Sequence, residues 1–214
     1  MSVINKRILD RHKKSGVLIY DDNSVFIDFS SHVCSKAVIR PNVTIEGNSY
    51  VGCGAFIGEN STLKNAVIGD GCRVLSSTLC DCRVGDGTTV CPYAYLRNGA
   101  SVGSGCRVGD FVEIKNSRLG NGVKASHLAY IGDADVGDGT NVGCGAVFCN
   151  YDGKTKRRSS VGKNVFIGAN VNLVAPVTVG DDAFIAAGGT ITESVPPNSF
   201  VIARSRQINK PRRV

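Results

Sequence analysis

The sequence lacks tryptophan and has only three histidines in 214 residues. No apolar run approaches the roughly 18 residues of a membrane-spanning helix, and the opening segment MSVINKRILDRHKKSG lacks the apolar core of a signal peptide. Basic segments interleaved with aromatic residues, which would stack on bases, are also missing. We therefore expect a cytoplasmic protein that acts neither in a membrane nor on nucleic acid.

Paired cysteine motifs are missing as well. The nine cysteines are an odd number, with no C-x-x-C pair and no histidine at the spacing of zinc ligands. This pattern argues against a disulfide framework and against a structural metal. We predict that the cysteines are reduced and buried, and act as small hydrophobic residues.

The net charge of +7 is concentrated in three places. Basic residues cluster near the N-terminus, in KTKRR (154–158) and in RSRQINKPRR (204–213). Such segments are usually solvated tails, but an enzyme that handles phosphorylated substrates would also use them.

The strongest signal in the sequence is a six-residue repeat. Aliphatic residues recur every six positions in three stretches, which begin at Ile27, Val84 and Val161 and together contain 19 positions. Neither a helix nor a long alternating strand has this period. Short strands separated by corners do, if three units make one turn of a triangular prism. Turns would then stack as parallel strands about 4.8 Å apart.

Glycine usage fits such corners. Of the 26 glycines, 13 directly follow an aliphatic residue of these stretches or of the offset segments between them, as in Val51-Gly52 and Val102-Gly103. Since a sharp corner often needs a positive φ, we interpret these glycines and the recurring GDG segments as corner residues. Calcium-binding glycine–aspartate repeats are an alternative, but their period is nine residues.

The predicted fold is all-β, a parallel β-helix of hexapeptide repeats with roughly nine turns of ~18 residues over residues 25–196. The predicted segments are a helical, linker-like stretch (1–20), the β-helix (21–198) and a basic C-terminal tail (199–214). The helix pattern of residues 4–16 ends at a glycine stop signal. Between Val142 and Val161, the segment CNYDGKTKRRSS must form a loop.

Polar residues interrupt the repeat between residues 112 and 153. His127 lies in a 12-residue interval, from Leu119 to Ile131, that has no clear aliphatic member. Because an interruption of this kind costs repeat stability, it indicates a site. A lone histidine is more often a surface or internally satisfied residue, which is how we interpret His12 and His32.

Several segments resemble a specific enzyme family. They are CPYAYLR (91–97), FVEIKNS (111–117), KASHLAYIGDADVGDGTNVGCG (124–145), NYDGKTK (150–156) and LVAPVTVG (173–180). They look like the C-terminal acetyltransferase half of the bifunctional N-acetylglucosamine-1-phosphate uridyltransferases / glucosamine-1-phosphate N-acetyltransferases. The match runs in order along nearly the whole chain. It implies a left-handed hexapeptide-repeat β-helix that works as a homotrimer, with active sites between adjacent prisms.

The resemblance also implies roles for individual residues. His127 would be the general base that frees the amine of glucosamine 1-phosphate to attack acetyl-CoA, and no metal is expected for this acetyl transfer. The implied acceptor-binding residues are Arg97, Lys115, Tyr130, Asn141 and Lys156, with Glu113 as a possible orienting neighbour. The implied acetyl-CoA contacts are Cys144, Asn150, Tyr151, Ala169, Ala187, Arg204 and Lys210.

Two of these positions depart from the family. Cys144 stands where the family usually has alanine, and Ala169 where it usually has serine. The first change leaves a backbone contact intact, whereas the second removes a hydroxyl that could contact coenzyme A. Cys144 could also be proposed as an acyl-carrying nucleophile, but nothing near it in the sequence requires this, so we expect direct transfer.

Other interpretations remain open. The acceptor could be another amino sugar or a nucleotide-linked amino sugar, and the β-helix could be a non-catalytic scaffold. A γ-type carbonic anhydrase would need three zinc-binding histidines, and only His127 lies in the catalytic region. The glycine-rich start of the uridyltransferase half, L-x-x-G-x-G-T-R-M, does not occur. We therefore expect either a stand-alone acetyltransferase, with a separate uridyltransferase as a possible partner, or a fragment that contains the acetyltransferase half.

Overall fold

A computed structural model describes residues 3–212. One α-helix, Val3–Lys14, precedes a left-handed parallel β-helix with three faces. The helix ends before Gly16, whose φ of +90° turns the chain into the first coil. Leu9 and His12 on the helix are buried against that coil. This confirms the predicted N-terminal helix and the β-helix class.

Each face is a parallel sheet with one strand from every turn of the coil. Face 1 has eleven strands and includes both ends of the coil. Its strands are Leu18–Ile19, Val38–Ile39, Phe56–Ile57, Arg73–Val74, Thr89–Val90, Arg107–Asp110, Lys124–His127, Asn141–Val142, Phe166–Ile167, Phe184–Ile185 and Phe200–Val201.

Face 2 has ten strands and carries most of the candidate acceptor-binding residues. Its strands are Phe26–Ile27, Thr44–Glu46, Thr62–Lys64, Thr78–Cys80, Tyr95–Arg97, Glu113–Lys115, Tyr130–Gly132, Val147–Cys149, Asn172–Val174 and Thr190–Ile191.

Face 3 closes the triangle with nine strands. They are His32–Val33, Tyr50–Val51, Val67–Ile68, Arg83–Val84, Ser101–Val102, Arg118–Leu119, Ala134–Val136, Ser159–Val161 and Thr178–Val179. The three sheets together make about ten turns. The sequence predicted roughly nine, because the first and last strands lie outside the range 25–196 that the repeat defines.

The interior consists of the residues that the six-residue period selects. All 19 aliphatic repeat residues are at most 5% exposed. Strand pairing places them in register from turn to turn, as for Ile27 with Ile45 and Ile45 with Leu63. Aliphatic side chains therefore stack along the axis and stabilise the coil by excluding water from its interior.

The interpretation of the glycines was wrong in part. None of the 13 glycines that follow an aliphatic repeat residue has a positive φ. Twelve of them are required because the next turn lies too close for a side chain: a Cβ on Gly103 would lie 2.6 Å from the carbonyl carbon of Gly120. The positive φ falls on the second glycine of the turn, as at Gly105, where φ is +64° and a Cβ would meet no heavy atom within 4 Å.

The cysteine prediction was wrong for one pair. Cys34 and Cys53 form a disulfide, with Cα atoms 4.7 Å apart. The coil brings them together because they are 19 residues apart, which is one turn plus one residue. The other cysteines are free, and only some are buried as predicted. Cys72, Cys82 and Cys106 are buried, Cys80, Cys91 and Cys149 are half-buried, and Cys144 is exposed.

Candidate functional site

His127 is the last residue of its face 1 strand and lies where face 1 turns into face 2. It pairs in register with Asp110 on the preceding turn, and its Nδ1 lies 3.7 Å from Asp110 Oδ2. This distance is too long for a hydrogen bond. Both side chains are about half exposed, at 61% and 45%. The ring is therefore accessible to a ligand.

Arg97 ends a face 2 strand and is paired with a carboxylate on the next turn. Its Nε and Nη2 donate to Glu113 Oε1 at 2.8 and 2.7 Å. Its Nη1 contacts Asn98 Oδ1 more weakly, at 3.5 Å. Since a guanidinium carries five N–H groups, Arg97 keeps donors for a further anionic ligand while Glu113 fixes its orientation.

Lys115 follows Arg97 in register and belongs to a buried polar network. Its Nζ lies 3.2 Å from Asp133 Oδ2. Asn116 donates to the other carboxylate oxygen at 2.6 Å, and Asn150 donates to Asp133 Oδ2. Lys115, Asp133 and Asn150 are each less than 9% exposed. Lys115 is thus a buried, ion-paired cation rather than a free surface charge.

Tyr130 connects this network to the open part of face 2. Asn150 Nδ2 lies 3.4 Å from the Tyr130 hydroxyl. The phenol ring lies over Gly132, where a Cβ would come within 2.4 Å of the hydroxyl oxygen. The glycine therefore leaves the space that the tyrosine side chain occupies.

Asp133 is the centre of the network and keeps its charge. Burial raises the pKa of its carboxyl, but hydrogen bonds from Asn116, Asn150 and Lys115 outweigh that effect, so the pKa is lowered. The carboxylate and the Lys115 ammonium compensate each other, which makes burial of both tolerable.

The loop between the face 2 and face 3 strands projects from the coil and is fixed at its end. A β-bridge joins Tyr151 to Lys156, and the side chains of both are exposed. Arg158 donates to both carboxylate oxygens of Asp135, at 2.6 and 2.7 Å, and to the carbonyls of Asn116 and Ala134. These bonds hold the base of the loop beside the buried network.

The corner between faces 1 and 2 continues from His127 toward the C-terminus as a backbone ladder. We call it the front corner; its positive-φ residues are Asn42, Asn60, Ser76, Tyr93, Phe111, Leu128, Gly145, Asn170 and Gly188. Asn170 N donates to Cys144 O and Gly188 N to Ala169 O, both at 2.8 Å. Arg204 Nη1 donates to Ala187 O at 2.8 Å. Cys144, Ala169, Ala187 and Arg204 therefore lie along one edge, in successive turns beyond His127.

Three of the predicted site residues lie apart from these groups. Asn141 is on face 1, paired in register with Lys124 and Phe166. The Lys156 side chain is exposed on the loop, and Lys210 is exposed in the C-terminal tail. Within one chain, the structure brings together Lys115, Tyr130 and Asn150, and places Arg97 beside them.

Several contacting residues were missed by the sequence analysis. Asp110, Asp133 and Arg158 carry the contacts described above, yet none was singled out. For the two aspartates, the spacing along the sequence could have revealed the contact. Asp110 precedes His127 by 17 residues and Asp133 follows Lys115 by 18, which is one turn of the coil in each case.

Residues 3–212 contain neither a cluster of metal ligands nor a membrane-spanning helix. No group of three or more histidine, cysteine, aspartate or glutamate side chains in this range could hold a metal ion. None of the helices described there is both long enough and apolar enough to cross a membrane.

The chain is similar to a family of bacterial transferases and to individual relatives. Residues 81–116 and 158–193 match the family described as bacterial transferase hexapeptide (six repeats). The bifunctional protein GlmU of Clostridioides difficile is 47% identical over 208 residues, which are 97% of this chain and 45% of the relative. GlmU of Brevibacillus brevis is 44% identical over 207 residues, 97% of this chain and 45% of the relative. The chain thus spans about half the length of these relatives.

A solved structure supports the fold alone. LpxA from Acinetobacter baumannii superimposes with a TM-score of 0.52 at 15% identity, over 86% of this chain and 71% of LpxA.

Proposed function

We propose that this chain is a glucosamine-1-phosphate N-acetyltransferase. The basis is its match to the bacterial transferase hexapeptide family and its alignment with about half of GlmU. It would move the acetyl group of acetyl-CoA to the sugar amine. One observation carries this proposal: His127 lies between a face with an oriented arginine and a corner edge that leads to Arg204. An acceptor and a donor can therefore approach the same imidazole from two directions.

His127 would act as the general base. An ammonium has no lone pair, so the attacking nitrogen must lose a proton before or during attack on the thioester carbonyl carbon. The new C–N bond forms, the C–S bond breaks, and the leaving thiolate takes up a proton to give free coenzyme A. Asp110 lies on the Nδ1 side of the ring, which leaves Nε2 to receive the proton from the amine.

The sugar phosphate would bind on face 2. Arg97 offers its remaining N–H groups to the phosphate, and Glu113 holds the guanidinium in place. Lys115 would add positive charge to face 2 from its buried position beside Asp133. Tyr130 and Asn141 would contact sugar hydroxyls, and Lys156 on the loop would add positive charge.

Acetyl-CoA would lie along the front corner. The backbone N–H groups of Ala169 and Ala187 have no hydrogen-bond partner in the described chain, residues 3–212. They are therefore available to the amide-bearing arm, as is the backbone near Cys144. Asn150 and Tyr151 would border the acetyl end, and Arg204 and Lys210 would meet the phosphates at the other end. Four turns separate His127 from Arg204, which is ~19 Å at ~4.8 Å per turn.

We further propose a cytoplasmic homotrimer. Asn141 and Lys156 lie apart from face 2 within one chain, and a cleft between neighbouring prisms would allow them to contribute to a site. Phe166, Phe184 and Phe200 form an exposed ladder on face 1, with ring centroids 4.5 and 5.4 Å apart. Burial of such a ladder against another subunit would favour association. A separate uridyltransferase would use the product.

The direct test is an acetyl-transfer assay. Purified protein is mixed with acetyl-CoA and glucosamine 1-phosphate, and free thiol and the N-acetylated sugar are measured together. Glucosamine, glucosamine 6-phosphate and a nucleotide-linked amino sugar serve as comparison acceptors. We expect glucosamine 1-phosphate to have the highest kcat/KM. Transfer only to another acceptor would reassign the substrate, and thiol release without amide formation would contradict acetyl transfer.

A further inference from the structure

The front corner changes character at His127. At the positive-φ position of the corner, the turns after that of His127 carry small residues: Gly145, Asn170 and Gly188. At the same position, the turn of His127 and the two turns before it carry large apolar residues: Leu128, Phe111 and Tyr93, which are 58%, 58% and 63% exposed. The edge that we assign to the donor therefore meets a step in side-chain size at the position of the base.

The three large residues have an unusual backbone conformation. Leu128, Phe111 and Tyr93 have φ values of +46°, +57° and +64°. For a bulky residue the left-handed conformation costs about 1–2 kcal/mol. The remaining positive-φ residues of this corner are asparagine, glycine or serine, which are small and, for the first two, adopt this conformation readily.

The contacts within the chain do little to offset that cost. The rings of Tyr93 and Phe111 stack at 5.2 Å between centroids, but all three side chains remain more than half exposed. Strained, exposed apolar residues on three successive turns, with the last directly after His127, point to a role in ligand recognition. The position of the step suggests which ligand group they meet.

We propose, on the basis of the proposed function, that Leu128, supported by Phe111, closes the acyl end of the donor site and restricts the transferred group to acetyl. A thioester carbonyl beside His127, with its arm toward Ala187 and Arg204, directs any further acyl carbon along the corner toward Leu128. Leu128 directly follows His127 on the same turn, and Phe111 lies one turn behind it, ~4.8 Å away along the axis. A methyl group fits beside the leucine, whereas a longer chain, extended by about 1.5 Å for each carbon–carbon bond, meets the leucine and the phenylalanine behind it.

The test compares acyl donors in a variant that removes the step. Leu128→Gly suits the backbone, because glycine adopts positive φ without strain. The kcat/KM values for acetyl-CoA, propionyl-CoA and butyryl-CoA are measured with glucosamine 1-phosphate. We expect Leu128→Gly to raise the propionyl-to-acetyl ratio by about 10-fold or more, the usual worth of one methylene in an apolar pocket.

Lys36→Gly is the matched control. Lys36 is also exposed and has a φ of +62°, but it lies far from the front corner, near the start of the coil. The Lys36→Gly substitution removes a side chain from the same backbone conformation and should leave the propionyl-to-acetyl ratio of kcat/KM unchanged. A loss of stability or of trimer assembly would lower turnover with all donors together and would not change their ratio.

Calorimetric titration with acetyl-CoA and butyryl-CoA, without acceptor, separates this inference from the proposed acceptor. We expect the unmodified protein to bind butyryl-CoA about 10-fold more weakly than acetyl-CoA, and Leu128→Gly to remove that difference. If this difference in binding is observed but glucosamine 1-phosphate is not acetylated, the proposed acceptor is wrong, whereas the restriction of the acyl group by Leu128 (the acyl limit) stands. Equal ratios in variant and unmodified protein, or equal use of butyryl-CoA by the unmodified protein, would overturn the acyl limit while acetyl transfer persists.

Discussion

At the scale of single residues, His127 is defined by its accessibility and its neighbour. Its ring is 61% exposed, and the charged group within 4 Å of it in the described chain is Asp110. In this open setting, the imidazole contributes nothing to the core that a substitution would disturb. A change at His127 therefore tests the chemistry without testing the fold.

We predict that His127→Ala lowers kcat by about 10²–10⁴-fold, the usual contribution of a general base. The melting temperature should be unchanged, because the side chain is not part of the core. Thiol release is measured under saturating acetyl-CoA. Turnover within a few-fold of the unmodified protein would show that another group accepts the proton.

We predict a different signature for Arg97→Ala. Loss of a charge-assisted hydrogen bond to phosphate is worth about 1.5–3 kcal/mol, so KM for the sugar phosphate should rise about 10- to 100-fold, with a smaller effect on kcat. Arg83→Ala on face 3 is the control and should leave KM unchanged. The same KM in Arg97→Ala and in the unmodified protein would place the phosphate elsewhere.

The sequence supplied the candidate site residues but not the residues that contact them. Arg97, Lys115 and His127 were identified from family motifs, and all three lie on or beside face 2. The sequence did not reveal that Lys115 is buried against Asp133. A motif records which residues recur along the chain, whereas this ion pair depends on which residues stack from turn to turn.

At the scale of elements, the corners use glycine for two separate reasons. Twelve of the 13 glycines that directly follow an aliphatic residue allow adjacent turns to approach closely, and the second glycine of a turn adopts a positive φ. The sequence predicted that glycines mark the corners but combined these two requirements. Close approach between turns is a property of the stacked coil and does not appear in a local pattern.

We predict that Gly103→Ala and Gly105→Asn differ sharply in stability. The alanine Cβ would meet the backbone of Gly120 at 2.6 Å, and overpacking of this kind costs about 1–3 kcal/mol or more. Asparagine tolerates positive φ, so Gly105→Asn should change the free energy of unfolding by less than about 1 kcal/mol. Urea unfolding measures both. Equal losses of stability in the two variants would contradict the assignment of separate roles to these two glycines.

The N-terminal helix carries a buried histidine that links its packing to pH. His12 is 4% exposed, and its Nε2 has no hydrogen-bond partner in residues 3–212. Burial lowers the pKa of His12, and Arg11 and His32 lower it further. Charging this ring in the folded state is therefore unfavourable.

We predict that stability falls as the pH drops below about 6.5, the ordinary histidine value. The unfolded chain binds the proton more readily than the folded one, so the free energy of unfolding decreases as the pH falls through that value. His12→Leu should flatten this dependence between pH 7 and 5. Thermal unfolding across that range is the measurement, and identical slopes in the two proteins would contradict the assignment.

At the scale of the whole molecule, the six-residue period predicted the architecture well. A single repeated residue class defines which side chains face inward, so the core and the strands follow from counting. The disulfide between Cys34 and Cys53 did not follow, because it depends on the offset of one residue between adjacent turns. The loop after Asn150 was predicted as a departure from the period, but its attachment through Arg158 to Asp135 was not.

The account depends on one spatial arrangement. The acceptor must lie on face 2, with its phosphate at Arg97 and its nitrogen at His127, while the donor follows the front corner. The most direct measurement is a crystal structure of the protein with glucosamine 1-phosphate and coenzyme A. The account predicts the sugar nitrogen within about 3.2 Å of His127 Nε2 and the phosphate on Arg97. A sugar bound away from face 2, with the imidazole directed into solvent, would contradict it.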